Sequence, residues 1–244
     1  MRILVALGGN ALLRRDEVAS AANQRRHVED AAAALADLTA EHEVIITHDG
    51  VPRIGHMLEL ALRNLLPERD VISVLTQVVV TSDEPEPNAI AEIRSLRVLV
   101  DSGALVICTG GSGVPIALNG DGTMHRVETA VDKDLTAALL ARRLDADLLL
   151  MLTDVDAVYR DWGSPGKQPV AGAEPAELRG MHLAEETIGP KVEAACRFAA
   201  TTGRRAAIGS LDEIDMVVRA EAGTQVVSPA AEPMIAAERR LPQS

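Results

Sequence analysis

Only three of the 24 basic residues in this 244-residue chain are lysines, and two of them open helical segments. Lys133 stands in Val131-Asp132-Lys133-Asp134 and Lys191 in Ile188-Gly189-Pro190-Lys191. An ammonium at a helix N-terminus adds a point charge to the positive end of the helix dipole, and the two together favour a phosphate. Pro190 suits the first turn, where its missing N–H costs nothing. The plainer alternative for both lysines is a solvated surface position, and Lys167, in the turn Gly163-Ser164-Pro165-Gly166-Lys167, reads that way. Asp132 and Asp134 flank Lys133. An aspartate there either orients the lysine head or, at Asp132, caps the helix.

Glycine supplies the second signal. Apolar runs end in Gly8-Gly9-Asn10-Ala11, His48-Asp49-Gly50-Val51-Pro52, Gly110-Gly111-Ser112-Gly113 and Thr153-Asp154-Val155-Asp156. Backbone amides of Gly-rich loops approach an anion closely, and in open α/β sheets ligands bind beyond the carboxyl ends of the strands. His48 reads as a structural or supporting residue and Cys108 as a small buried apolar one. No HExxH, CxxC or histidine cluster occurs, so no protein-caged metal is expected. GxxxxGK[ST] is absent, as is GxGxxG after the first strand.

These loops must be positioned by the runs that precede them. Strands are expected at Ile3–Leu7, Val44–Thr47, Leu105–Thr109, Leu148–Leu152, Ala206–Ile208 and Gln225–Val227. Helices are expected at Ala21–Thr39, Arg53–Leu65, Ala89–Val100, Lys133–Leu144, Pro190–Thr202 and Asp212–Ala220. The alternation predicts an α/β fold with a mostly parallel sheet covered on both faces. Val71–Thr81 suits either strand or helix, and Asp121–Ala130 reads as a hairpin arm turning at Asp121-Gly122. The stretch from Pro229 to Ser244 lacks periodicity and reads as a flexible tail.

Composition narrows the partners. A net charge of −12 opposes a polyphosphate backbone, and Trp162, Tyr159 and Phe198 are the only aromatics. Nucleic-acid binding is therefore not expected. Two cysteines give no disulfide framework, no apolar run approaches the ~20 residues that span a bilayer, and the first residues read as a strand rather than a leader. A cytoplasmic protein without a membrane partner is expected.

Five ordered motifs resemble those of carbamate kinases within the amino acid kinase family. They are Leu4-Val5-Ala6-Leu7-Gly8-Gly9-Asn10-Ala11, Gly110-Gly111-Ser112-Gly113-Val114-Pro115, Ala130-Val131-Asp132-Lys133-Asp134, Leu152 to Tyr159, and Gly189-Pro190-Lys191-Val192-Glu193-Ala194-Ala195. The resemblance implies a three-layer αβα sandwich. Residues 1–120 would form an acceptor-binding lobe and 121–228 a nucleotide-binding lobe, with 229–244 as tail. It further implies reversible conversion of ATP and carbamate to ADP and carbamoyl phosphate, with Mg²⁺ carried mainly by the nucleotide phosphates, in a homodimer.

By matching position, Lys133 and Lys191 would neutralise the transferring phosphoryl group and Asp134 would orient them. Gly8, Gly9, Asn10, Gly50, Gly110 and Gly111 would line the acceptor site, and Thr153, Asp154, Tyr159, Gly189 and Pro190 the nucleotide site. Two features depart from the family. The usual His-Gly-Asn-Gly-Pro reads His48-Asp49-Gly50-Val51-Pro52. A protruding subdomain that carries a further lysine is replaced by Thr81–Asn88, which has no basic residue; Arg14, Arg15 and Arg53 are candidate substitutes. A kinase-fold protein that binds nucleotide or metabolite in a regulatory or interaction role is the alternative reading.

Overall fold

The structure, a computed structural model, describes residues 1–9, 20–48, 52–81, 85–161, 163–164, 166–181, 183 and 188–228, with backbone alone at 52 and 110–112. The first half of the chain runs β1 (Arg2–Leu7), α1 (Ala21–Thr39), β2 (Glu43–His48), α2 (Pro52–Leu65), β3 (Val71–Val79), β4 (Ala89–Ile90), α3 (Ile93–Asp101), β5 (Leu105–Leu118) and β6 (Met124–Arg126). There follow α4 (Lys133–Arg143), β7 (Leu148–Thr153), β8 (Tyr159–Arg160), β9 (Gln168–Pro169), β10 (Gly172–Ala173) and α5 (Pro175–Arg179). The described part ends with α6 (Gly189–Thr202), β11 (Arg205–Ser210), α7 (Ile214–Val218) and β12 (Thr224–Val226).

The central strands β1 and β7 are almost wholly apolar because both faces of the sheet are covered there. Ile3, Val5 and Leu7 of β1 enter one buried cluster, and Leu4 and Ala6 enter the other. Along β7, Leu148, Leu150 and Leu152 join the first, Leu149 and Met151 the second. Successive strand side chains point to opposite faces, so each strand feeds two cores. One face is closed by α1, α2 and α7 through residues such as Leu35, Leu58 and Val217. The other is closed by α3 to α6, through Leu96, Leu140, Leu178 and Phe198. The result is a three-layer αβα sandwich.

The sheet order is β10-β12-β11-β7-β1-β2-β5-β3-β4, with β6 added on β5. β1, β2, β3, β5, β7 and β11 pair in parallel, whereas β4, β6 and β12 meet β3, β5 and β11 antiparallel. β1 lies at the centre, in register with β2 on one side (Leu7 beside His48) and β7 on the other (Leu7 beside Leu152). The carboxyl ends of these three strands therefore open on one edge.

Two stretches differ from the sequence-based expectation, and a third settles a choice left open. Val71–Val79, which suited either element, is a strand: it pairs in parallel with β5, and Ile72, Val74 and Val78 join one buried cluster while Val71 enters the other. Ala89-Ile90 pairs with β3 instead of starting the following helix, and Ile90 is fully buried there; tertiary pairing overrides the local helical period. The third strand does not stop at Thr109. Leu75 pairs with Thr109 and Gln77 with Val114, so residues 110–113 bulge opposite the single residue Thr76 before pairing resumes. Gly113 makes this possible: its φ is +80°, and a Cβ there would collide with Val78. The expected hairpin arm is present as β5–β6, whose turn is held by Asn119 and Thr123.

Candidate active site

Helix starts aim two cations at the edge where β1, β2 and β7 end. Asp132 caps α4, its carboxylate accepting from the Leu135 amide at 2.8 Å. Lys133 and Asp134 thus fall in the first turn. Capping is the role the structure gives Asp132, while Asp134 has another. Its carboxylate accepts a 2.8 Å hydrogen bond from the Lys191 ammonium, and both side chains are 7% exposed. Lys191 lies in the first turn of α6, behind Pro190, and α6 packs against α4. Residues 57 apart in sequence meet because the two helices lie side by side on one face of the sheet.

Gly8 completes the arrangement. Its amide donates to the Leu152 carbonyl at 3.2 Å, which joins the end of β1 to the end of β7. A Cβ at Gly8 would stand 3.3 Å from Lys191 Nζ and 3.2 Å from the Leu152 oxygen. A side chain there would crowd both atoms, so glycine leaves the ammonium the most room to reach past the end of β1. Beside it lies a small cleft lined by Ala6, Leu7, Gly8, Thr47, His48, Lys133 and Asp134. Lys191 contacts the cleft through Gly8 and Asp134, so both lysines serve one place. Among the described residues, two ammoniums, one carboxylate and two helix N-termini meet there, an excess of positive charge in a chain of net charge −12. A roomier groove between α1 and α2, lined mainly by apolar side chains such as Val28, Met57 and Leu60, lies on the helices instead.

An amino acid kinase family profile matches residues 75–210. The chain is 35% identical over 303 aligned positions to the carbamate kinase of Rhizobium meliloti, covering 93% of this chain and 94% of that protein. The chain belongs to the amino acid kinase family. Within it, this is a carbamate kinase-like member. The carbamate kinase of Haemophilus influenzae is 33% identical, over 93% of this chain and 96% of its own length. The structure of Giardia lamblia carbamate kinase bound to AMP-PNP superposes with a TM-score of 0.86 at 26% identity, covering 93% of this chain and 98% of that one. The Rhizobium alignment has more positions than this chain has residues, so that relative carries segments absent here.

The remaining amino acid kinase positions are distributed as follows. Gly9 is half-buried next to Gly8; Asn10, Asp49, Gly50, Val51, Arg14 and Arg15 lie outside the described residues. Gly110 and Gly111 form the bulge of β5. Thr153 is buried at the end of β7, one residue beyond the carbonyl that Gly8 contacts, and its hydroxyl donates to Asp154 at 3.1 Å. Gly189 and Pro190 begin α6. Tyr159 stands apart from the lysine cleft, in the separate β8–β9 pair. Its hydroxyl donates to Asp156 at 2.9 Å, and Lys167 lies 4.9 Å above its ring. The Asp156 carboxylate holds the phenol above its ordinary pKa.

Sequence reasoning did not single out Thr47 and read His48 as structural or supporting; both border the cleft. It also missed Gly55: a Cβ on this α2 residue would stand 2.8 Å from His48 Nε2 and would collide with Thr109. A glycine inside an amphipathic helix directly after a candidate loop was the available signal. Among the described residues no three His, Cys, Asp or Glu side chains cluster to hold a metal ion, and no helix is long and apolar enough to cross a membrane.

Proposed function

We propose that this chain moves a phosphoryl group between ATP and carbamate, giving carbamoyl phosphate and ADP reversibly. The observation that carries the reading is the buried Lys191–Asp134 pair at Gly8, with Lys133 bordering the same cleft. Phosphoryl transfer asks for in-line placement and for charge stabilisation at the equatorial oxygens. Lys191, held by Asp134, cannot swing away, and Lys133 adds a second cation; both act from helix N-termini. Carbamate is already an anionic nucleophile, so no general base is needed. Gly8, Gly9, Asn10, Gly50, Gly110 and Gly111 line the acceptor end in this reading, on residues 1–120. Thr153, Asp154, Tyr159, Gly189 and Pro190 take the nucleotide on residues 121–228. The nucleotide enters as its Mg²⁺ complex, the metal resting on phosphate oxygens. A cytoplasmic homodimer is part of the same reading, drawn from the family.

The test is a coupled assay for ATP formation from carbamoyl phosphate and ADP. Turnover by the wild-type chain and a loss of at least ~10²-fold in Lys191→Ala, the usual scale for one transition-state charge contact, are expected. The segments missing relative to the Rhizobium protein favour one second reading, a chain that binds MgATP without efficient transfer. Silence in the assay together with calorimetric MgATP binding would select it.

A further inference from the structure

We propose that Arg126 is the acceptor-side cation of this site, closing on the substrate from the face opposite Lys133 and Lys191. This rests on the phosphoryl-transfer reading above. The starting point is the placement of β6. At Ile116, β5 pairs with Val79 of β3 on one flank and with Arg126 of β6 on the other. The flank that β6 occupies is therefore the one that β2 occupies lower down, where Thr47 pairs with Cys108. β6 lies in line with β2, beyond its carboxyl end. Cys108 is level with Val74 and Ile116 with Val79, so Arg126 sits five residues farther along, roughly 16 Å at the usual ~3.3 Å per residue.

Among the described residues, no strand fills the span between His48 and Arg126. The Gly110–Gly113 bulge of β5 forms its side, and the chain returns from β6 across residues 127–132 to Lys133. The cleft lined by Gly8, His48 and Lys133 lies at the His48 end of this span. Arg126 is the β6 residue nearest to it, since Met124 and His125 pair farther out with Leu118 and Ala117.

Direction follows from register. Val78 packs into the core under α3 to α6, the face that carries Lys133 and Lys191. Its neighbour Val79 points to the opposite face, and Ile116 and Arg126 follow it across the sheet. Arg126 is exposed, and its side chain makes no hydrogen bond or ion pair with another described residue. His125, next along β6, points to the other face and serves as an internal control. Arg53, the other described candidate, is excluded by helix geometry. Gly55 of α2 faces His48 and Thr109, and a residue two positions earlier lies about 200° around the helix, pointing away.

A guanidinium reaching back from β6 meets the carbamoyl end of the substrate, while the lysines meet the phosphoryl end. Its planar fork suits a carboxylate-like group in two hydrogen bonds. The experiment is calorimetric titration of carbamoyl phosphate into the full-length wild type and into Arg126→Ala, Arg126→Lys and His125→Ala, with thermal midpoints measured to confirm equal folding. Arg126→Ala is expected to bind about 10- to 100-fold more weakly, the range of one charged hydrogen-bonding contact. Arg126→Lys should fall between, and His125→Ala should match wild type. Equal affinity in Arg126→Ala, an equal loss in His125→Ala, or no binding by wild type would each overturn the assignment. The readout is binding, so a wild type that binds carbamoyl phosphate yet makes no ATP refutes the kinase reading while leaving the role of Arg126 decided by the same titrations.

Discussion

The Lys191–Asp134 pair sets a test that separates stability from chemistry. Breaking a buried ion pair from one side leaves an uncompensated charge and costs on the order of 3–5 kcal/mol, whereas removing both partners together is often close to neutral. Asp134→Asn and Lys191→Met should each lower the denaturation midpoint markedly. The double variant should recover most of that stability and none of the ATP-forming activity; recovery of activity would remove Lys191 from the mechanism. The cysteines give a second prediction at this scale. Cys108 and Cys196 are buried, and burial pushes their thiols up to about 12 and about 11. Ellman's reagent should find no reactive thiol in the native chain and two after denaturation. Individual residues were legible where type was rare. Lysines in an arginine-rich chain pointed to Lys133 and Lys191; the structure sets Lys133 in the cleft and Lys191 against its lining residues Gly8 and Asp134. His48 and Gly55 were not legible, because their closeness to Thr109 depends on how α2 settles against β2 and β5, which no local pattern records.

At the scale of elements, the site depends on how tightly α2 approaches the strands. Gly55→Ala would press a methyl group against His48 and Thr109, whose atoms belong to strand ends and have little room to retreat. A loss of about 1–3 kcal/mol, typical of overpacking, should accompany a fall in turnover, measured by urea denaturation and the coupled assay together. A second element-level contact joins the short β3–β4 connection to α6. Arg197 donates to both oxygens of Glu86 at 3.1 Å and to Glu193 at 2.8 Å, and Glu193 also accepts from Arg179. Arg197 holds Glu86 below the ordinary carboxylate range. Burial pushes Glu193 up, but its two arginines outweigh that and leave it lowered as well. A carboxylate with a depressed folded pKa contributes stability above its unfolded value of 4.5, and the contribution fades as pH falls through the folded value. The wild type should therefore lose more stability than Arg197→Ala between about pH 6 and pH 3. The difference should stay near 1 kcal/mol, because these groups are half exposed. Most elements were legible from periodicity and from their bounding glycines and caps. The exceptions were contacts made at long range: Ala89-Ile90 is a strand only because β3 offers an edge, and β5 continues past its glycines only because Thr76 spans the bulge.

Across the whole molecule, the two halves of the chain share their cores. One buried cluster unites Leu4, Ile45 and Val106 with Leu149, Phe198 and Ala206, and the other unites Ile3, Val28 and Leu105 with Leu150, Ala207 and Val217. β1 belongs to the first half by sequence but pairs with β7 of the second over five residues. Acceptor and nucleotide ends assigned to residues 1–120 and 121–228 would then be functional regions of one cooperative body, since neither half keeps its core when the other unfolds. Calorimetry should show a single transition whose calorimetric and van't Hoff enthalpies agree. Nucleotide binding to the second half, as proposed above, should then move that whole transition. At 100 times its dissociation constant, MgATP would add about 2.7 kcal/mol. For a chain of this size that is a rise of roughly 5–10 °C in midpoint. Two resolved transitions, with only the later or the earlier one responding to MgATP, would show the halves to be independent. The shared sheet at β1 and β7 would then not be what holds Gly8 against Lys191.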